Sequence, residues 1–509
     1  MSPALARAAA RRALPLALLL GGALLASAAS HDVWRLAAPL TDSTAPATGL
    51  GSAKLRAALS RLGLLALQPP TTAAIERSAA TGECPDYRIG GAAPAPEAQP
   101  ASVSAPAPDR ERAPVLVSLW IDPCRLARLH ERPWDRGRST EQTGWIALYE
   151  RGRLRFASAV GVRIHGGISR QAPPYSYRIY FRGDYGEPGL PPELLSSALV
   201  APVARIYLDE SLDFDRDLRR FHFPAEIAYE VGRRLGARAP RTRPVRFSLN
   251  GQESSIYVLG EHLGEDYLER HFGHRNFDFV RGKRQGEDPT EALWRAEIDW
   301  IQAAPRPFTA ELAARRYDLD QLTTWLATVL FCATGDLYQD AMVRDRSGEV
   351  AGGRWTWIHW DHDMSFRTPP GNSRFGRQRE VLPFILWNGR GNEIAPSREL
   401  ARRLLREDPG YRRRLTERVR RALREDLTPD FLEQLVARHE SLARELGADD
   451  LHFAGRLRAF FAARPAEVEA QLAELARVDE SSEDPSEVAR RRSRRRAAAR
   501  QADPGSGVR

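Results

Sequence analysis

Cysteine, methionine and lysine are all scarce in this chain of 509 residues. It holds three methionines and three cysteines, and only Lys54 and Lys283 are lysines among its 75 basic residues. Three cysteines without a CxxC or Cys/His spacing give no disulfide framework and no structural zinc motif. Cys84 and Cys124 are able to pair in an oxidising compartment, whereas Cys332 lies in an apolar helical pattern and is expected to be a buried thiol.

Several short motifs of nucleotide and hydrolase sites are also missing. The chain has no G-x-x-x-x-G-K-[ST] and no G-x-G-x-x-G, so neither a P-loop nor a dinucleotide site of the Rossmann type is supported. A G-x-S-x-G elbow is absent as well, which leaves covalent ester hydrolysis without support. Beyond the N-terminus no uncharged apolar run is long enough to predict a membrane span.

The N-terminus has the pattern of an export signal. Arg7, Arg11 and Arg12 precede the apolar run 13–28, which ends in small residues. Residues 1–28 are therefore predicted to be a signal peptide, and the protein to be secreted or periplasmic. Residues 29–112 are rich in alanine, proline, serine and threonine and are predicted to be a flexible linker.

Positive charge is concentrated at the two ends of the chain. The formal net charge is +9. The signal segment and the tail 490–509 together carry a larger positive charge than this, so the body between them is close to neutral. A near-neutral body argues against a specific nucleic-acid partner. Residues 481–509 are predicted to be a disordered basic tail, and a contact of this tail with an acidic envelope surface stays open.

The body divides into a strand-rich front and a helical back. Alternating apolar residues predict four strands, and Asn250-Gly251 between two further strands is a strong hairpin signal. The predicted strands cover 115–121, 143–150, 159–165 and 175–182. Helical spacing dominates from residue 292, with a last helix expected to break at Pro465. We predict a strand-rich lobe at 113–291, a helical lobe at 292–480, and a cleft between them.

Acidic residues follow two of these elements. Alternation predicts a strand at 355–360, and Asp361 and Asp363 stand two apart at its end, on one side if the backbone stays extended. Asp336 and Asp340 follow an apolar helical segment. Such acids suit phosphate chemistry, because one can orient a hydroxyl while others hold Mg²⁺ against phosphate oxygens. The alternative is that they are turn and capping aspartates.

Four segments in a fixed order resemble the CotH family of atypical protein kinases first described in spore coats. They are R-I-H-G-G-I-S-R at 163–170, S-Y-R-I-Y-F at 176–181, Gly335-Asp336, and W-D-H-D-M-S-F at 360–366. The family has R-I-R-G-N-S-S-R, K-K-S-Y-R-I-K-F, G-N-x-D-W and W-D-x-D-x-S-F in these places. The resemblance covers about residues 114 to 368, and its closing acidic motif is the most specific part.

The resemblance implies an α+β, two-lobed, reduced protein-kinase-like fold that binds ATP with Mg²⁺ or Mn²⁺. It implies transfer of the ATP γ-phosphoryl to a hydroxyl, on an unknown protein substrate. Asp336 would be the catalytic base. Asp361, Asp363 and Asp340 would hold the metal. Nucleotide binding would fall to Arg163, Arg170, Arg178 and Glu261, since guanidinium groups pair well with phosphates.

Departures from the family pattern leave two alternatives. Pro174, Tyr175 and Tyr180 stand where the family has lysines, and Ala341 stands where it has an asparagine. These changes favour a non-catalytic kinase-like protein of the cell envelope that binds nucleotide or acts as a scaffold. A metal-dependent hydrolase is the other alternative, because mixed histidine and aspartate clusters hold hydrolytic metals. Its residues would be His359, Asp361, His362 and Asp363.

Overall fold

The computed structural model describes residues 115–478, apart from 172, 211–222, 282–288, 336, 338–340, 367–379, 388–394 and 449. The predicted signal peptide, linker and tail therefore lie outside the described residues, as do Asp336, Asp340 and Cys84. No helix in the described part is long and apolar enough to cross a membrane. Cys124 is disulfide-bonded, and Cys332 is a buried free thiol.

The chain forms two compact units that do not follow chain order. Among the described residues, the first contains 115–210, 241–275 and 440–451, and the second contains 223–240, 276–439 and 452–478. The predicted boundary between 291 and 292 is therefore not where the two units divide. A helix and a strand from the predicted front belong to the second unit.

Seven strands of the first unit close into a barrel in the order β1-β2-β3-β4-β5-β7-β6. All neighbours are antiparallel except β1 and β6, which are parallel and complete the ring. The strands are β1 Val115–Ile121, β2 Gln142–Glu150, β3 Arg153–Ile164, β4 Tyr177–Tyr180, β5 Arg205–Asp209, β6 Thr242–Leu249 and β7 Gln252–Glu261.

The barrel interior is a packed apolar core. Along β1 the alternate residues Val115, Val117, Leu119 and Ile121 are all buried, as a period of two requires. They join buried residues from the other six strands in one cluster, so the barrel is filled by side chains. The α+β class is confirmed. A closed seven-stranded barrel is found where the strand-rich lobe of a two-lobed, kinase-like fold was predicted, because β6 returns to pair with β1.

The predicted hairpin is confirmed. Asn250 and Gly251 have φ of 51° and 80°, the left-handed pair that a tight turn between twisted strands needs. The side-chain oxygen of Asn250 accepts a hydrogen bond from the N–H of Ile121 at 2.8 Å, which ties the turn to the end of β1. The helices of this unit are α1 Pro123–Glu131 and α3 Glu265–Phe272.

The second unit combines helices with a three-stranded antiparallel sheet in the order β10-β9-β8. Its strands are β8 Phe277–Arg281, β9 Ala341–Asp345 and β10 Trp355–Trp357. Its helices are α2 Pro224–Arg234, α4 Pro289–Ala303, α5 Ala310–Ala314, α6 Leu319–Cys332, α7 Val381–Trp387, α8 Pro396–Glu407, α9 Pro409–Arg421 and α11 His452–Leu475. Helix α10 Pro429–Glu445 begins in this unit, and its residues 440–445 belong to the first unit.

Helix α6 is the apolar centre of this unit. Its N-terminus is capped by Asp318, whose carboxylate accepts from the N–H of Gln321 at 3.2 Å. Most of its side chains are buried. It ends in Ala333, whose left-handed φ of 51° stops the helix. The chain then continues through Thr334 and Gly335 toward Asp336.

Helix α11 runs unbroken through Pro465, and the predicted break is wrong. A proline there removes one helical hydrogen bond, which normally favours a kink. However, apolar side chains are buried on both sides of it, so continuous packing outweighs the missing bond. The buried residues include Phe453, Leu457, Phe460, Val468, Leu472 and Leu475.

Candidate functional site

The acidic loop begins where β10 ends. The N–H of His359 donates to the carbonyl of Arg238 at 2.7 Å, which turns the chain out of the sheet. Asp361 has φ of 60°, so the backbone is left-handed there and the predicted extended pair of Asp361 and Asp363 is wrong. Asp361 is half-buried and Asp363 is exposed. The N–H of Asp361 donates to Oη of Tyr229 at 3.1 Å.

Two backbone hydrogen bonds join this loop to the segment after α6. The N–H of Phe366 donates to the carbonyl of Cys332 at 2.7 Å, and the N–H of Gly335 donates to the carbonyl of Met364 at 3.0 Å. Gly335 is covalently bonded to Asp336, and Met364 to Asp363. The structure thus brings together the two segments that carry the predicted acids, although Asp336 and Asp340 lie outside the described residues.

His359 and His362 face each other beneath the loop. Nδ1 of His359 and Nε2 of His362 share a hydrogen bond of 3.2 Å, and Nδ1 of His362 is 3.1 Å from the hydroxyl of Thr334. Burial lowers the pKa of His362 to about 3 and that of His359 well below its ordinary value. Both rings are neutral, and both nitrogens of His362 are engaged within the protein. They were proposed as metal ligands, but here they bind each other and Thr334.

The donor chemistry of the loop fits a hard divalent cation. Among the residues that the structure describes, no three histidine, cysteine or acidic side chains gather into a metal cluster. What the loop offers is the carboxylate pair of Asp361 and Asp363, and Mg²⁺ is commonly held by one or two carboxylates together with phosphate oxygens. Burial and then the charge of Asp361 raise the pKa of Tyr229, so this phenol stays protonated beside the loop.

Arg163, in the first unit, is one of two arginines that share a buried carboxylate. Its Nε and NH2 groups donate to Glu141 at 3.0 and 2.6 Å, and Arg182 donates to the same carboxylate twice at 2.9 Å. Burial alone would raise the pKa of Glu141, but the two guanidiniums outweigh it and lower that pKa. Both guanidiniums also lie over the ring of Tyr180, 4.3 and 4.9 Å from its centroid.

Sequence reasoning missed Arg182 and Glu141. Gly161 makes room for this cluster, because a Cβ there would lie 2.2 Å from Oε1 of Glu141. The available signal for Arg182 was a pattern of alternate residues, because Arg178, Tyr180 and Arg182 alternate along β4 and just beyond its end. Nothing in the local pattern pointed to Glu141, which precedes β2.

Arg178 and Arg170 have different surroundings. Arg178 is half-buried, and its NH2 group is 3.1 Å from Nδ1 of His165. Arg170 is buried and donates to main-chain carbonyls around the loop that follows β3. Its acceptors are Gly166 at 2.7 Å, Ile164 and Pro133 at 2.5 Å, and Asp135 at 3.5 Å. A nucleotide contact of Arg170 would require some of these bonds to be given up.

Glu261 is the centre of a buried ionic network. It accepts from Nε of Arg270 at 2.9 Å, from Nε2 of His271 at 3.0 Å and from the N–H of Arg241 at 2.9 Å. Burial alone would raise its pKa, but the hydrogen bond and charge of His271, then Arg270 and the N–H of Arg241, lower it. Glu261 therefore pairs with an arginine on α3, a residue that the sequence pattern did not single out.

Sequence comparison supports the family resemblance. A family model described as CotH kinase protein matches residues 162–494, well over half of the chain. The matched range includes every predicted site residue, from Arg163 to Asp363. No curated protein matches the chain.

Proposed function

The chain belongs to the CotH kinase protein family, and from that premise we propose that it is an atypical kinase. It transfers the γ-phosphoryl of ATP to a hydroxyl, on a protein substrate, in the presence of Mg²⁺ or Mn²⁺. The observation that carries the proposal is the backbone pairing of Gly335 with Met364, at 3.0 Å. It supports a single acidic site built from the segments of Asp336 and of Asp361 and Asp363.

The acids of the second unit have distinct roles in this proposal. Asp336 orients the acceptor hydroxyl and takes its proton as the acceptor oxygen bonds to the γ-phosphorus and the bond to the β-phosphate oxygen breaks. Asp361 and Asp363 would hold the divalent ion, with Asp340 as a further proposed ligand. An ion bound there would neutralise charge on the phosphate oxygens. The substrate is therefore defined by a hydroxyl group that accepts the phosphoryl group.

The proposed nucleotide contacts belong to the first unit. Arg163 is the best supported, because two guanidiniums share the single carboxylate of Glu141 and leave a net positive charge beside it. Planar guanidiniums suit phosphate oxygens through paired hydrogen bonds. The other predicted nucleotide contacts are Arg178, Arg170 and Glu261.

The remaining features of the chain are part of the same proposal. The barrel and the helical unit would be the counterparts of the two lobes of a reduced kinase-like fold. Residues 1–28 would direct export, so that the protein acts as a secreted or periplasmic enzyme after the linker 29–112. The tail 481–509 would meet an acidic envelope surface.

Substitution of the acids tests the assignment. Asp361→Asn should abolish metal-dependent ATP binding while the protein stays folded, and Asp336→Asn should spare binding and lower turnover. The control is Asp320→Asn on α6, since the side chain of Asp320 is 87% exposed and paired with Arg414. Calorimetry would measure binding, and phosphoryl transfer from ATP would measure turnover. Unchanged binding in Asp361→Asn would remove Asp361 from the metal site.

One observation favours a second function, that of a non-catalytic kinase-like protein of the cell envelope. All four proposed nucleotide contacts are engaged in internal hydrogen bonds, namely Arg163, Arg170, Arg178 and Glu261. Such a protein would bind nucleotide without transfer, or bind only a partner. Wild-type ATP binding with no turnover toward any hydroxyl acceptor would favour this alternative.

A further inference from the structure

Four buried polar side chains connect the two acidic segments. They are Thr334 after α6, and His359, His362 and Ser365 around the loop, here called the threonine–histidine brace. The Thr334 hydroxyl is 3.1 Å from Nδ1 of His362 and 2.8 Å from Oγ of Ser365. His362 continues to His359 at 3.2 Å. Each of the four is less than 5% exposed.

The brace satisfies its own hydrogen bonds in either direction. A neutral imidazole has one donor and one acceptor nitrogen, and a hydroxyl donates once. Ser365 can donate to Thr334, Thr334 to His362, and His362 to His359, or every donor can be reversed. Each internal contact of the brace therefore has one donor and one acceptor in either direction. A buried chain of matched hydrogen bonds in a low-dielectric interior is rigid.

The ends of the brace are anchored to separate elements. The N–H of His359 donates to the carbonyl of Arg238, and the ring of His362 packs edge-on against Tyr229 at 5.6 Å. On the other side, Arg464 of α11 donates to the carbonyls of the last turn of α6, just before Thr334. The brace therefore spans between two fixed points of the second unit.

The backbone around the brace is held in conformations that non-glycine residues avoid. Ala333, Asp361 and Phe366 have φ of 51°, 60° and 61°. Such a conformation costs free energy and persists only where surrounding contacts hold it. The three residues lie at the start of one acidic segment and at the two ends of the other. Backbone strain at such positions is typical of a functional site whose geometry is held by the surrounding structure.

We propose that Thr334 and His362 are positioning residues that hold the loop of Asp361 and Asp363 against the end of α6. This inference rests on the proposed function, because it assigns the brace to the same acidic site. Thr334 precedes Gly335 and Asp336 in the chain, and His362 lies between the two metal-loop carboxylates. A displacement of the brace would therefore move the carboxylates of Asp361 and Asp363 away from the geometry that a bound ion requires.

Removal of one hydroxyl tests the brace. Thr334→Val keeps the shape of the side chain and cuts both hydrogen bonds, while Thr334→Ser restores the hydroxyl. The control is Thr328→Val on α6, a fully buried threonine whose hydroxyl donates only to the carbonyl of Thr324 at 2.9 Å. Full-length proteins would be titrated with Mn²⁺ alone, with free Mn²⁺ followed by electron paramagnetic resonance. Amide hydrogen exchange would be measured in the same samples.

Thr334→Val should lower Mn²⁺ affinity by about tenfold, as loss of a supporting partner of a metal site usually does. Thr334→Ser and Thr328→Val should bind as the wild type does. Exchange of the Gly335 and Phe366 amides should be faster in Thr334→Val alone. If that variant does not fold, Ser365→Ala should weaken Mn²⁺ binding in the same direction.

The outcomes separate this inference from the proposed function. Wild-type Mn²⁺ affinity in Thr334→Val would overturn the positioning role and leave the metal site in place. An equal loss in Thr328→Val would overturn it too, since the effect would then follow from general destabilisation. Absence of Mn²⁺ binding by the wild type would refute the metal site itself, and the brace would lose its role with it.

Discussion

Replacement of Glu261 by glutamine should destabilise the first unit strongly. Glu261 is fully buried, and the side chain of Arg270 beside it is only 4% exposed. Glutamine keeps the size of the side chain but removes the negative charge that compensates Arg270. Its amide group also places a donor among the donors of Arg270, His271 and the N–H of Arg241.

The magnitude follows from the cost of a buried charge without its partner. Breaking a buried ion pair by removing one member costs about 3–5 kcal/mol. The glutamine oxygen still accepts from one donor, so we expect about 3 kcal/mol, the lower end of that range. The matched control is an exposed ion pair of Glu269, which lies on α3 beside Arg270. Glu269, 49% exposed, pairs with Arg275, and Glu269→Gln should change stability by less than about 1 kcal/mol.

Denaturant unfolding of the full chain, followed by tryptophan fluorescence, would measure both variants. The pH dependence of the free energy of unfolding is an independent test. Because the folded pKa of Glu261 is lowered, its stabilisation is present above the unfolded value of 4.5 and is lost as pH falls through the folded pKa. The wild type and Glu261→Gln should therefore converge in stability in acid. Equal stability of Glu261→Gln and wild type at pH 7 would refute the reasoning.

Two further predictions concern the second unit. Arg464→Met should cost about 3 kcal/mol by denaturant unfolding, because a fully buried guanidinium donates to two carbonyls of α6; Arg458→Met, at an exposed ion pair on the same helix, should cost little. Burial lowers the pKa of His439 to about 4, so stability should fall as pH drops below 6.5, by about 2 kcal/mol at pH 5. Glu230, 3.5 Å from His439, already pairs with Arg438. His439→Gln should reduce this dependence of stability on pH, and an unchanged dependence would contradict its assignment to His439.

The strands were predictable from local pattern, but their closure into a barrel was not. Alternation along 115–121 and the Asn250-Gly251 turn report only on neighbouring residues, and both predictions are confirmed. The parallel pairing of Leu116 with Arg246 joins strands about 130 residues apart in the chain. Periodicity reveals which face of a strand is buried and carries no information on its partner.

Residue patterns identified the acidic segments and not their local geometry. The chain order of Gly335-Asp336 and the 360–366 motif placed both segments in one family pattern, and the structure pairs them by backbone hydrogen bonds. The left-handed Asp361 was not predictable, because alternation before it favoured extended backbone. His359 and His362 were considered as ligands, since their residue type says nothing about whether another side chain already binds them. Burial decides that question, and burial depends on tertiary packing.

The most direct test of the central claim is a calorimetric titration of ATP into the full-length protein with Mg²⁺, repeated after chelation. We expect binding with Mg²⁺ that disappears with chelator and in Asp361→Asn. Binding that is indifferent to the metal, or no binding under either condition, would contradict a kinase site at the acidic loop.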